Sequence, residues 1–529
     1  MRFKYCVIAL LCCASSLFAQ RSGTAPKLYV SIVVDQLRTD YLYEFEDLYC
    51  DTGFKRLMSG GKVYENVYYA FDNIDRATAM ATLCTGTYPY VSGIVAERWL
   101  DRKTLRVVNC VEDKSCKGVY STEALSPSSL KSITITDEIK RSSRGKAIVC
   151  SIAPDGDAAV LAGGHAADVV LWKSNLAGYW SSSSYYGLYP SWAAEMNSQL
   201  QGKARKWLPL FRTSEYNNFG EKAPAAFSYS FDGKKNIMSY KTTACINEEV
   251  NEMAFAFLEN SEAGKDNMVD CLALTYYAGN YDGAPMSHRP IEIQDIYARL
   301  DRNLAELFAE LEKRYGLENV VVSLASTGYV VENGDENSNY RIPSGTLYSE
   351  RVQALLNVYL SAKYGKGDYI EGVYGTQLFL DNKLIERMGL DKMSVVSQAV
   401  EFLKSLEGVE DVFTIYRLGG MLSPELQFAK NGYNPVGSGD LWLRLMPGWR
   451  LVEDELLVSR QLYRSPVMFP IMIYGAGVQP LVEEKLTPAN ILATEMARIL
   501  RVRRPNDNCL RVFEYSFSIY KKKFSGLHL

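Results

Sequence analysis

Residues Leu28–Val34 (LYVSIVV) form an unbroken apolar, largely β-branched run that stops at Asp35. A run without polar alternation is the pattern of a strand covered on both faces, so it predicts a buried parallel strand. Runs of the same kind recur at Ala147–Ile152, Val269–Thr275, Val320–Leu324 and Ile471–Tyr474. Between them, apolar positions at helical spacing predict helices over Thr78–Cys84, Ile291–Arg314 and Ala489–Leu500. Strands alternating with helices predict an α/β fold built on a doubly wound, mostly parallel sheet. In such sheets the chemistry gathers at the carboxyl ends of the strands. Asp35, Asn280 and Ser326 all fall just after predicted strands.

Two stretches break this rhythm. Residues 166–245 are rich in Tyr, Trp, Ser and Asn and read as an irregular insertion. Residues 366–455 predict a small α+β insertion, with strands at Gly375–Leu380 and Asp411–Tyr416 and a helix at Met393–Leu406. The rest of residues 21–529 reads as one domain, with no internal repeat and no low-complexity linker.

Residues 1–20 predict a secretory signal peptide. Arg2 and Lys4 precede an apolar run from Tyr5 to Phe18, and Ala19 supplies a small residue for cleavage. A lipoprotein alternative would use Cys12 or Cys13, but Leu11 and Cys12 are poor residues to precede such a site. No later segment reaches the roughly 18 apolar residues of a membrane span. The chain is therefore expected to be exported and to end in the periplasm or associated with the outer membrane.

Composition narrows the chemistry. The 529 residues carry 58 Lys+Arg against 61 Asp+Glu, which leaves no electrostatic footprint for nucleic acid. There are 3 histidines, His165, His288 and His528, which argues against a multi-histidine metal site. Cys110 and Cys116, in NCVEDKSC, are close enough in sequence to staple a short loop. The competing reading is that most cysteines are buried free thiols, Cys84, Cys150 and Cys271 lying in apolar segments.

Several segments, in order along the chain, resemble the alkaline phosphatase superfamily, in particular its phosphate-irrepressible alkaline phosphatases and nucleotide pyrophosphatase/phosphodiesterases. They are IVVDQLRTDYL (32–42), GFKRLMSGG (53–61), ATLCTGTYPYVSGI (81–94), AGGHAAD (162–168), IEIQDIYARLDRNLAELF (291–308), RIPSGTL (341–347) and FPIMIYGAGV (469–478). The resemblance implies the superfamily's fold and its phosphoryl-transfer site, in which two zinc ions flank a Thr or Ser nucleophile.

Position by position, the expected site is largely absent. Asp35 matches the first metal-binding Asp. Counting back from Thr85-Gly86, the nucleophile position falls on Arg76, whose guanidinium is no alkoxide and repels zinc. The other ligand positions fall on Asn280, Ala284, Ser326, Thr327 and Met468. A substrate-binding asparagine falls on Glu97, and a Lys-x-Arg pair falls on Asp155 and Asp157, where carboxylates oppose phosphate. Shifted residues (Asp75, Asp282, His288) would supply too few strong ligands for two zinc ions.

Other chemistries find little support. No GxSxG-like elbow or P-loop spacing stands out. Thr78 and Thr82 lie near the nucleophile position but read better as polar residues within a helix. His165 sits in a motif that the family shares without using it as a ligand. A remodelled site would need Glu97, Asp155 and Asp157 to cluster for acid/base work.

The expectation is therefore a pseudoenzyme with no metal or other cofactor, in which Arg76 replaces the lost cations by pairing with Asp35. It would act by binding a protein or envelope partner. The aromatic segment Tyr179, Trp180, Tyr185, Tyr186, Tyr189 and Trp192 is a candidate contact surface, unless it packs the insertion onto the main domain. The alternative is a working metal-dependent phosphomonoesterase or phosphodiesterase/nucleotide pyrophosphatase.

Overall fold

The computed structural model describes residues 25–200, 203–217, 226–232, 236–284, 289–333, 345–419, 423–446, 448–452 and 462–506. The expected signal segment, His288 and His528 lie outside them. The central strands are β1 (Leu28–Asp35), β2 (Lys62–Tyr68), β3 (Val149–Ala153), β4 (Val169–Lys173), β5 (Trp180–Ser183), β6 (Asp270–Tyr277), β7 (Val320–Ser326) and β8 (Phe469–Gly475). They lie in the order β2-β8-β7-β1-β6-β3-β4-β5, with short strands Leu481–Glu483 and Gly118–Val119 at the two edges. The principal helices are α1 (Arg76–Thr85), α2 (Ile135–Ser142), α3 (Gly156–Gly163), α4 (Ala244–Asn260), α5 (Pro290–Tyr315), α6 (Ser349–Tyr364), α7 (Lys392–Lys404) and α8 (Ile491–Leu500).

The doubly wound α/β architecture predicted from the strand and helix rhythm is the one observed. β7, β1, β6, β3 and β4 run parallel to one another. Alternate side chains of β1 point to opposite faces, as strand geometry requires. Leu28, Val30, Ile32 and Val34 pack in one core with α4 and α5. Tyr29 and Val33 pack in the other, with α1, α2, α3 and α8. Both faces are covered, which is why these strands read as continuous apolar runs.

Two expectations need correction. β8, expected as a parallel strand at Ile471–Tyr474, runs antiparallel to both β7 and β2. A strand buried on both faces has the same composition in either direction, so direction leaves no mark in the sequence. The first part of the segment expected to be irregular, 166–245, contributes β4 and β5 to the central sheet.

A second sheet of four antiparallel strands has the order Ile370–Tyr374, Gln377–Leu380, Leu441–Leu445, Val409–Thr414. It packs on α6 and α7 around Leu356, Leu360, Val395 and Leu403. Asp440 joins it to the main body by accepting from Arg102 at 2.8 Å, and it also accepts from Lys392 of α7 at 2.8 Å. Arg444 adds a 2.7 Å pair with Asp72.

No described helix is long and apolar enough to cross a membrane. Cys110 and Cys116 do not form the staple that their spacing allows; both are free thiols, as in the competing reading. Cys110 is buried and its Sγ–H faces Asn109 Oδ1 at 3.7 Å, while Cys116 faces Asp113 Oδ2 at 3.7 Å.

Candidate functional site

The site lies where β7, β1, β6 and β3, four neighbours in the sheet, end on the same side. Asp35 is the last residue of β1. Gln36 follows with φ of 66°, a left-handed turn that takes the chain off the strand. Gln36 N–H donates to Thr327 Oγ1 at 2.9 Å, and the Thr327 hydroxyl donates to Asp35 Oδ1 at 2.8 Å. Ser326 ends β7, and its hydroxyl is used on the Leu37 carbonyl at 2.8 Å.

Arg76 is the first residue of α1. Asp75 caps that helix by accepting from Thr78 N–H at 2.9 Å, while the Thr78 hydroxyl accepts from Asp75 N–H at 2.9 Å. Thr82 donates back to the Thr78 carbonyl at 2.8 Å. Both threonines are buried within the helix packing, in keeping with the structural reading of them.

The Arg76 guanidinium meets three carboxylates. Its Nε and Nη2 both donate to Asp157 Oδ1, at 3.1 Å and 3.0 Å. Its Nη1 lies 3.1 Å from Asp155 Oδ2 and 3.6 Å from Asp35 Oδ2. The Asp35–Arg76 pair expected from the sequence therefore forms, though Asp155 and Asp157 are the nearer partners. Asp155 and Asp157 stand at the N-terminus of α3, where negative charge is favoured by the helix dipole. Lys241, just past the short helix Ile237–Tyr240, enters the cluster from the other side. Its Nζ donates to Asp155 Oδ1 at 3.0 Å and to Asn175 Oδ1 at 2.5 Å.

Burial and charge set the proton affinities. Burial pushes Asp35 up to about 6, against the pull of Arg76 and the Thr327 hydrogen bond. Burial would also raise Asp155, but Arg76 and Lys241 together hold it down to about 2. Asp157 has one cation where Asp155 has two, and burial leaves it raised. Burial lowers Lys241 despite Asp155 beside it. Burial acts against the charge on Arg76 as well, yet the surrounding carboxylates hold its pKa well above the usual value. Glu97 is half-buried and close enough for its charge to act on Arg76, Asp157 and Asp35. The carboxylates thus cluster, but around cations rather than as a free acid/base pair.

The other aligned positions carry weak donors or none. Asn280 is buried after β6, and its carbonyl accepts from Tyr277 Oη–H at 2.8 Å. Ala284 has no ligating side chain. Met468 is partly buried against the apolar core of the α1 face. Asp282 has φ of 50° in a tight turn after Asn280. Among the described residues, no group of three or more His, Cys, Asp or Glu side chains is arranged to hold a metal ion.

Lys241 and Asn175 carried no signal in the sequence. Both lie in the segment read as irregular, and only long-range packing brings them to Asp155. Most of the aromatic segment packs inward. Trp180 is fully buried, and its indole N–H donates to Glu249 at 3.1 Å. Tyr186 is buried, Tyr189 donates to the Trp180 carbonyl at 2.7 Å, and Trp192 packs near Phe257. Tyr185 is 41% exposed and lies beside Tyr186.

His165 is structural in its contacts. Its Nδ1 lies 2.8 Å from Asp137 Oδ2 and its Nε2 lies 3.0 Å from the Leu130 carbonyl. Two acceptors for two ring nitrogens favour the doubly protonated imidazolium. The Asp137 hydrogen bond raises the His165 pKa against partial burial and the nearby Lys131 charge. Burial would raise Asp137, but the His165 hydrogen bond and charge together with the hydrogen bonds from Thr134 outweigh it and leave the carboxyl lowered. His165 therefore stabilises the fold fully below its unfolded pKa of about 6.5, and this is lost as pH rises through its higher folded value. Asp137 contributes above its unfolded value of about 3.9, and this is lost as pH falls through its depressed folded value. Imidazole proton resonances, followed by NMR across this range, should show His165 titrating above 6.5, and Asp137→Asn should bring it down. An unmoved His165 titration in that variant would refute the pairing.

Comparison with known proteins agrees with the architecture. Residues 29–464 match the family described as type I phosphodiesterase / nucleotide pyrophosphatase. A Myroides odoratus protein named calcium-transporting ATPase is 28% identical, over 96% of this chain and 98% of that one. Alkaline phosphatase PhoV of Synechococcus elongatus is 28% identical, over 92% of each chain. The crystal structure of alkaline phosphatase PafA has the same fold, with a TM-score of 0.80 at 23% identity, covering 93% of this chain and 99% of PafA. The chain belongs to the type I phosphodiesterase / nucleotide pyrophosphatase family, within the alkaline phosphatase superfamily.

Proposed function

We propose that this protein is an exported pseudoenzyme of the alkaline phosphatase fold, which has lost the two-zinc site and the nucleophile and works by binding a protein or envelope partner. The observation that carries the reading is the Arg76 guanidinium, at the position aligned with the nucleophile and 3.6 Å, 3.1 Å and 3.0 Å from Asp35, Asp155 and Asp157. A fixed positive charge there disfavours zinc and offers no alkoxide. The donor set also fails to suit two zinc ions, which need about six strong ligands between them. Asp35 is the one carboxylate among the six aligned positions. Asn280 offers a neutral amide, Ala284 nothing, Ser326 and Thr327 hydroxyls already donated elsewhere, and Met468 a soft thioether.

Elemental analysis and phosphate-ester assays test this reading together. The purified chain, dialysed with added zinc, should hold fewer than about 0.2 zinc per chain. It should hydrolyse neither p-nitrophenyl phosphate nor bis-p-nitrophenyl phosphate above background. About two zinc per chain with turnover of either ester would favour the metal-dependent phosphatase or phosphodiesterase reading.

A further inference from the structure

We propose that Arg76 and Lys241 together supply this pocket's positive charge in place of metal ions, as two tethered cations bridged by one carboxylate. Asp155 presents Oδ2 to Arg76 at 3.1 Å and Oδ1 to Lys241 at 3.0 Å, so its two oxygens serve two separate positive charges. Asp35, the retained ligand position, lies on the Arg76 side of the pair, and Asp157 completes that side. This inference rests on the reading of the pocket as one that binds no zinc. It adds the second cation, its source, and the partners that Asp155 and Asp157 serve.

The placement of Arg76 is otherwise unfavourable. It is the first residue of α1, where the helix dipole opposes positive charge. It is largely buried, with a side chain 20% exposed, and Lys241 is buried more deeply at 5%. Cations in such places persist when carboxylates compensate them, and removing one partner strands the other. The guanidinium suits its place because its planar fork reaches Asp157 through Nε and Nη2 while Nη1 turns to Asp155 and Asp35. A lysine at this position has one ammonium and cannot span the three. Lys241 reaches the pocket from the end of the segment that follows β5, and it also holds Asn175, just beyond β4. Lys241 therefore ties the β4–β5 turn and the stretch before α4 to the carboxyl end of β3.

The experiment is a charge-balance cycle on the full chain, read as melting temperature in EDTA and in excess zinc chloride. Arg76→Met should lower the melting temperature by about 2–4 °C, and Arg76→Lys should lower it less. Adding Asp157→Asn to Arg76→Met should recover at least half of that loss, whereas Asp157→Asn alone should destabilise. If Arg76→Met yields no folded protein, Lys241→Met and Lys241→Met/Asp155→Asn give the same comparison. Additive effects of the cation and carboxylate substitutions would overturn the proposal, because they would mean that the charges do not compensate one another. Zinc should leave the wild-type melting temperature unchanged. A rise with zinc would instead overturn the metal-free reading of the pocket, whatever the cycle shows.

Discussion

Asp295→Ala should cost this protein about 4–5 kcal/mol, one of the largest losses expected from a single substitution in the chain. Asp295 lies on α5 and is fully buried. Its two oxygens accept from four donors: Trp207 Nε1 at 2.6 Å, Leu210 N at 2.6 Å, Tyr216 Oη at 2.6 Å and Arg299 Nε at 2.9 Å. Alanine would strip all four of their acceptor, and three of them lie on the segment 205–217. Trp207 is fully buried, so its indole N–H would have no water to turn to. Asp295→Asn keeps the shape and one strong acceptor, so it should cost about half as much. Trp207 is part of the affected cluster, so tryptophan fluorescence during denaturant unfolding measures both effects. A loss below about 1 kcal/mol for Asp295→Ala would mean that water replaces the carboxylate, and that the segment is held by its aromatic packing alone.

The second large effect is expected at Glu249. Its carboxylate accepts from Lys173 Nζ at 2.8 Å, Trp180 Nε1 at 3.1 Å and Tyr240 Oη at 2.5 Å, and Arg205 Nε lies 3.3 Å away. The side chains of Lys173 and Glu249 are 5% and 6% exposed. Burial would raise Glu249, but Lys173 and Arg205 outweigh it and leave the carboxyl lowered. Its contribution is therefore fully present above its unfolded pKa, and is lost as pH falls through the depressed folded value. Glu249→Ala should cost about 3–5 kcal/mol at neutral pH, because it strands the Lys173 ammonium. Lys173→Met combined with Glu249→Gln should recover much of that loss, since a buried pair replaced on both sides leaves no orphaned charge. Equal melting temperatures for Glu249→Ala and the wild type would refute the account.

These two carboxylates show where reading the sequence stops. Asp295 falls within the helix predicted at Ile291–Arg314, and that helix forms as Pro290–Tyr315. The helical spacing says nothing of three donors arriving from a segment about 80 residues earlier. Glu249 likewise carries no local mark of the lysine and tryptophan that meet it from β4 and β5.

The pocket divides in the same way. The apolar run of β1 and its terminal Asp35 could be read directly, whereas Asn280, Ala284, Ser326, Thr327 and Met468 could be singled out only by counting along the resemblance. Arg76 and its pairing with Asp35 came from counting along a resemblance. That Asp155 and Asp157 are the nearer partners did not follow from the count, since it depends on how the N-termini of α1 and α3 meet. Lys241 was invisible, because a lysine in a polar segment has the same local pattern whether it faces water or a buried carboxylate.

By itself, the sequence determined what depends on local pattern. Strands covered on both faces must be apolar throughout, and helices must carry an apolar stripe. The tertiary structure alone decided the antiparallel course of β8, the entry of β4 and β5 into the central sheet, and the joining of Arg76, Lys241 and three carboxylates into one ion cluster. Those features rest on contacts between residues far apart in the chain, where burial and Coulomb energy are set by packing and leave no periodic trace in composition.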